Sequence, residues 1–218
     1  MTENNGYRTV AIIALVLGVI GVSLGYVAFS STLTITTTAE VVPDASKFNV
    51  DFSSSAATTF EEQDITPTLS QSNDANFTAT DAEIDNTSDP TLTNLHAHYT
   101  EPGQTVTYDV YAYNRGEYVA YLNSITFDST TNAKACTPRT GTDATMVAAA
   151  CDDITLTVTV GSTGPTTTTV DPISNHSLGI GASELVTVVI EYASGAAIAD
   201  GGFDVTFPDI VLTYDSVD

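Results

Sequence analysis

Histidines, carboxylates and cysteines are the residues of this chain with chemistry to offer, so their spacing comes first. His96 and His98 lie two apart. On a strand that spacing puts both rings on one face. With Glu101 close by, they have the donor types of a zinc site. His176 is remote, no HExxH is present, and surface histidines flanking a buried Leu95 and Ala97 explain the pair equally well. No metal ligand is assigned. Asp81, Glu83 and Asp85 alternate between Thr80 and Pro90 in a loose likeness of a calcium loop, but Asn86 stands where an EF-hand requires glycine. Such acidic loops are expected to bind calcium weakly or simply to be solvated. GxSxG, phosphate-loop and dinucleotide motifs are absent, and no Ser–His–Asp arrangement is legible. No catalytic residue and no cofactor are assigned, and the chain reads as a non-enzyme.

Cys136 and Cys151 are the two cysteines. An even count after an export-like segment predicts one disulfide in an oxidising compartment, with two buried thiols as the alternative. Asn76, Asn86 and Asn175 begin N-x-S/T sequons, at the frequency expected of a chain rich in Ser and Thr.

The charge balance excludes whole classes of partner. Asp and Glu number 27 against 5 Lys and Arg, a formal charge of −22. The basic residues, Arg8, Lys47, Arg115, Lys134 and Arg139, form no cluster. A nucleic-acid ligand needs a positive stripe, and an anionic membrane surface needs a polybasic one. Neither is a partner here. Contact with a membrane is expected only through the N-terminal apolar segment.

That segment and the stretch after it have opposite characters. Val10 to Ala28 is a 19-residue run without charge, about 28 Å as a helix and so just long enough for a bilayer core. Tyr26-Val27-Ala28 before Phe29 supplies the small residues of a signal-peptidase site. Residues 1–28 therefore read as a cleaved signal peptide, with a retained anchor as the alternative. From Ser31 the pattern alternates, with Leu33, Ile35, Ala39 and Val41 on one face and threonines on the other. Residues 29–42 read as an N-terminal strand.

The remaining residues, 43–218, are enough for one sizeable core. Phe48, Val50 and Phe52 share a face of a strand over Lys47–Phe52. A Ser/Thr/Asp-rich excursion over residues 53–90 carries one or two short strands at most. Thr91–Tyr99 reads as one strand. Thr105–Asn114, with Val106, Tyr108, Val110, Ala112 and Asn114 on one face, then pairs with Tyr118–Phe127 as a hairpin across the turn Asn114-Arg115-Gly116. A short helix over 142–150 is capped by Thr142 or Asp143. Asp153–Val160, Glu184–Tyr192 and Phe203–Tyr214 complete eight or nine strands. Without helices to cover a parallel sheet, this pattern predicts an all-β fold, an antiparallel jelly-roll-like sandwich behind the N-terminal helix.

Two patches, the junction LGYVAFSSTLTI and the block EPGQTVTYDVYAYNRGEYVAYLNSITF over Glu101–Phe127, together resemble the TasA/camelysin family of exported bacterial surface and biofilm-matrix proteins. Archaeal bundling pilins are similar. The resemblance covers about a third of the chain; the cysteine loop and the 53–90 excursion depart from it. It implies a jelly-roll-like domain, cleavage between Ala28 and Phe29, and assembly into extracellular fibres. In such fibres Leu33, Ile35, Ala39 and Val41 would belong to a donor strand that completes a neighbouring subunit. Protease activity linked to some camelysin-like members finds no residues here to carry it.

The expected function is a structural subunit of an extracellular filament or matrix fibre, secreted and self-associating into a homopolymer. A type IV pilin cut after Gly6 is one alternative, although Ala11 stands where a pilin has glutamate. A membrane-anchored surface adhesin is the other.

Overall fold

The computed structural model describes residues 47–56, 60–70, 74–128, 133–173 and 175–216. The 1–28 leader and the 29–42 strand lie outside the described residues. Within them, the chain runs β1 (Val50–Ser53), β2 (Thr68–Ser70), β3 (Thr78–Ala79), β4 (Glu83–Asp85), β5 (Thr91–Thr93), β6 (His96–Tyr99), β7 (Thr105–Asn114) and β8 (Ala120–Asp128). It continues through β9 (Ala135–Pro138), α1 (Ala144–Asp152), β10 (Ile154–Val160), β11 (Ser177–Leu178), β12 (Ser183–Tyr192), β13 (Phe203–Thr206) and β14 (Asp209–Ser216). Every pairing is antiparallel. The all-β expectation holds.

One sheet has the order β1-β7-β12-β10, with β2 alongside the other end of β7. Strict alternation in the sequence makes this sheet. β7 buries every second residue from Val106 to Asn114, and β10 does the same from Ile154 to Val160. Register then aligns apolar rows across three strands. Val106 faces Ile190, which faces Leu156; Tyr108, Val188 and Val158 form the next row, and Val110, Val186 and Val160 the third. All of these side chains belong to the core.

Opposite lie two shorter sheets, β11-β8-β14-β5-β4 and β3-β6-β13-β9. They are joined by two chain segments that run antiparallel past each other. β5 pairs with β14, β6 pairs with β13, and Phe207 N–H donates to Leu95 C=O between them. The stretch Thr91–Tyr99 is therefore two strands, not one, because Asn94 takes a left-handed conformation (φ 59°) that breaks the ladder. Phe203–Tyr214 is likewise split, at Phe207-Pro208, where proline has no N–H to give. Tyr99 ties the layers together. Its hydroxyl donates to Ile190 C=O at 2.9 Å, and its ring meets Tyr192 edge-on, centroids 5.8 Å apart.

The expected β7–β8 hairpin does not form. β7 and β8 belong to different sheets, so the Asn-x-Gly turn is a corner. Asn114 is fully buried, and its Nδ2 donates to Tyr118 C=O and to Leu178 C=O in β11. Gly116 packs so closely that a Cβ would lie 2.7 Å from Lys47 O and 2.8 Å from Asn49 N. A hairpin loop needs its two flanking strands in register; here these bonds pull the chain across to the facing layer.

The excursion over residues 53–90 is more regular than expected, carrying β2, β3 and β4. The helix is close to its expected place. α1 starts at Ala144 with Asp143 as N-cap, its carboxylate accepting from Thr145 N–H at 2.7 Å and Met146 N–H at 3.3 Å. Among the described residues no helix is long and apolar enough to cross a membrane.

Candidate functional site

The histidine pair resolves into one half-exposed ring and one buried one. His98 is only 4% exposed, which corrects the expectation of two surface histidines. Its strand, β6, is interior to its sheet, between β3 and β13. His98 Nδ1 lies 3.1 Å from Phe203 C=O and 3.2 Å from an Asp204 carboxylate oxygen. Gly202 (φ 77°) leaves the space the ring fills; a Cβ there would come within 2.8 Å of it. His98 is thus a structural link between β6 and β13. No group of three or more His, Cys, Asp or Glu placed to hold a metal ion occurs among the described residues.

His176 finds partners that its position in the sequence gave no sign of. Its Nε2 is 2.5 Å from Glu184 Oε2 on β12, and Tyr214 on β14 donates its hydroxyl to Glu184 Oε1 at 2.8 Å. Burial, together with the neighbouring Glu184 carboxylate, pushes the Tyr214 phenol well above its ordinary range. The cluster clamps the approach to β11 against strands of both layers. Pairs 8 and 30 residues apart make it, so no local motif marks it.

Asp81, Glu83 and Asp85 are exposed on and beside β4. Asp85 accepts from Thr87 N–H at 2.9 Å, a bond that holds its carboxyl below the usual range. The Asn94 amide reaches Glu83 at 3.5 Å and Asp81 C=O at 3.1 Å. These contacts make a local turn network along a solvated edge.

The two cysteines form the expected disulfide, with Cα atoms 6.0 Å apart. It fastens β9 to the last turn of α1. Lys134 reinforces the same corner by donating to Cys151 C=O and Ile154 C=O. Of the three sequons, Asn76 and Asn175 are exposed. Asn86 is engaged instead, accepting from Phe52 N–H at 2.7 Å and donating to Phe52 C=O at 2.9 Å.

That last contact bears on the sheet edges, the surfaces through which a β-protein meets another chain. Asn86 plugs the outer edge of β1. β4 carries Glu83 and Asp85 on its edge. β10 is edged differently along its length. Val158 exchanges backbone bonds with Thr166, while Val160 donates its N–H to the Thr163 hydroxyl oxygen and accepts from Thr163 N–H at its C=O. Even-numbered residues of β10 therefore turn their backbone groups outward. Leu156 is one of these, and its N–H and C=O meet no partner among the described residues. Beside it lies a groove of about 540 Å³ whose walls include Phe127, Ile154, Leu156 and Phe207. The strap Thr166–Val170 crosses from β10 to β8 and forms another wall, because Val170 bridges Ile125.

The expected cleavage residues Ala28 and Phe29 and the expected donor residues Leu33, Ile35, Ala39 and Val41 lie outside the described residues. No family model, curated protein or solved structure matches the chain.

Proposed function

We propose that this protein is a structural subunit of an extracellular filament or matrix fibre, exported by its leader and polymerising with copies of itself. The N-terminal strand of one subunit pairs with a sheet edge of the next. Strand addition of this kind draws affinity from main-chain hydrogen bonds and specificity from alternate side chains. The observation that carries the reading is an alternating stretch, Ser31–Val41, ahead of antiparallel sheets in which the Leu156 backbone edge has no partner among the described residues. The family resemblance of the Glu101–Phe127 block agrees with it.

The sandwich itself is jelly-roll-like in this reading. Two features favour that: β14 lies between β5 and β8, and the chain passes to the facing sheet at β7 between them. The acidic balance suits an exposed assembly and argues against a role built on nucleic acid.

Deletion of Ser30–Thr38 tests the function. The truncated chain is expected to fold and stay monomeric by light scattering and electron microscopy. Filaments of unchanged appearance from the truncated chain would overturn strand donation.

A further inference from the structure

We propose that the acceptor for the N-terminal strand is the groove beside β10, and that its occupant is Ser31–Val41 of a second copy of this chain. The inference rests on the filament reading above and adds where the strand docks.

The edges differ in what they can accept, and β3, β9 and β11 offer only two to four residues each. β1 is closed by the Asn86 amide, which satisfies both backbone groups of Phe52. β4 presents Glu83 and Asp85, and a carboxylate edge repels another chain of charge −22. β10 has no charged residue from Ile154 to Val160. The stretch Phe29–Ala39 has none either. Within Ser31–Val41 the one charge is Glu40, near its C-terminal end, and the groove wall carries Lys134 beside Asp152. A nearly uncharged strand meeting an uncharged edge meets little like-charge repulsion.

The groove also fits by shape. It sits at the mouth between the two layers, with β10 on one side and Phe127 and Phe207 on the other. A strand laid along β10 pairs with the outward N–H and C=O of Leu156. Its side chains then alternate between the groove and solvent. Leu33 and Ile35 are two residues apart, about 7 Å along a strand, and both fall on the inward side. Thr32, Thr34, Thr36 and Thr38 face outward, and Thr37 shares the inward side. Lys134, already bonded to Ile154 C=O, marks one end of the open edge, and the Val158–Thr166 bridge marks the other.

Photo-cross-linking tests the site. The full chain is expressed with its leader in an exporting host, with benzoylphenylalanine at position 35. Isotopically heavy and light copies are mixed before assembly. The expected product joins position 35 of one isotope to the Asp153–Thr169 stretch of the other, read by mass spectrometry. Mixed-isotope cross-links to another edge would overturn the β10 site while leaving strand donation standing. Cross-links only within one isotope would overturn both. A second variant, Thr168→Trp, fills the groove from an exposed position. It is expected to abolish the cross-link with an unchanged thermal transition; an undiminished cross-link would overturn the site.

Discussion

Asp143 shows how one side chain can set both a boundary and a pH response. Its carboxylate accepts the first free N–H groups of α1, chiefly that of Thr145 and then that of Met146, and these bonds hold its pKa below the ordinary aspartate value. A depressed folded-state pKa means stability that is present above the unfolded value and lost as pH falls through the folded one. Asp143→Ala should lower the thermal midpoint at pH 7, because alanine cannot cap. Asp143→Asn should hold the midpoint near wild type at pH 7 and flatten its decline below pH of about 4, since asparagine caps without titrating. Thermal unfolding of the three proteins across that range checks both. Tyr99 makes a different kind of contribution, a buried hydroxyl bonded across the layers to Ile190. Tyr99→Phe should cost about 1 kcal/mol, the net value of one such bond, by denaturant titration. Tyr108, whose hydroxyl donates to Thr80 C=O, is a second phenol that burial drives well above its ordinary range. Neither phenol should ionise before the fold is lost, so absorbance titration should show these tyrosines released only with alkaline unfolding.

At the scale of elements, the edges of the sheets decide what this protein can join. A bare edge is a template for another strand, and proteins blunt edges they do not use. Asn86 blunts β1 from 34 residues away in sequence. Asn86→Ala should therefore do two things. It should cost about 1–2 kcal/mol, as two side-chain bonds to Phe52 are lost. It should also raise concentration-dependent association through β1, measured by sedimentation in a chain that lacks Ser30–Thr38. A variant that is destabilised but no stickier would show that Asn86 is only a brace. The kink at Asn94 and the break at Pro208 matter at the same scale. They let two chain segments stay paired through Leu95 and Phe207 while the layer bends around the core.

For the whole molecule, charge is the dominant quantity. A net charge of −22 on a chain of 218 residues works against compactness, and the described ion pairs, such as Arg115–Asp51 and Lys47–Glu117, engage few of the carboxylates. Screening should help. Raising salt from about 0.01 M to 1 M shortens the Debye length from about 30 Å to about 3 Å, so the thermal midpoint should rise steadily across that range. Assembly should accelerate with it, because subunits of like charge must approach. A midpoint that falls with salt would mean that attractive surface pairs outweigh the repulsion.

Alternation along the chain determined a good deal unaided. Side chains on a strand repeat every second residue, so Val106–Asn114 and Ile154–Val160 declared their buried faces from local pattern alone. Asp143 as a cap and the Cys136–Cys151 bond were also legible, since capping chemistry and an even cysteine count are short-range or counting signals. Tertiary structure alone decided which sheet each strand joined. A sequence pattern gives a strand its face but not its partner, and the bonds from Asn114 to Tyr118 and Leu178 turned an apparent hairpin into a corner between layers. The same limit hid the His176–Glu184–Tyr214 cluster, the burial of His98 and the plug at Asn86. Each depends on residues that meet only when distant strands are packed together. The open edge at Leu156 belongs with them. Whether a backbone N–H is free depends on every neighbour it could have had, and only the folded chain sets those neighbours.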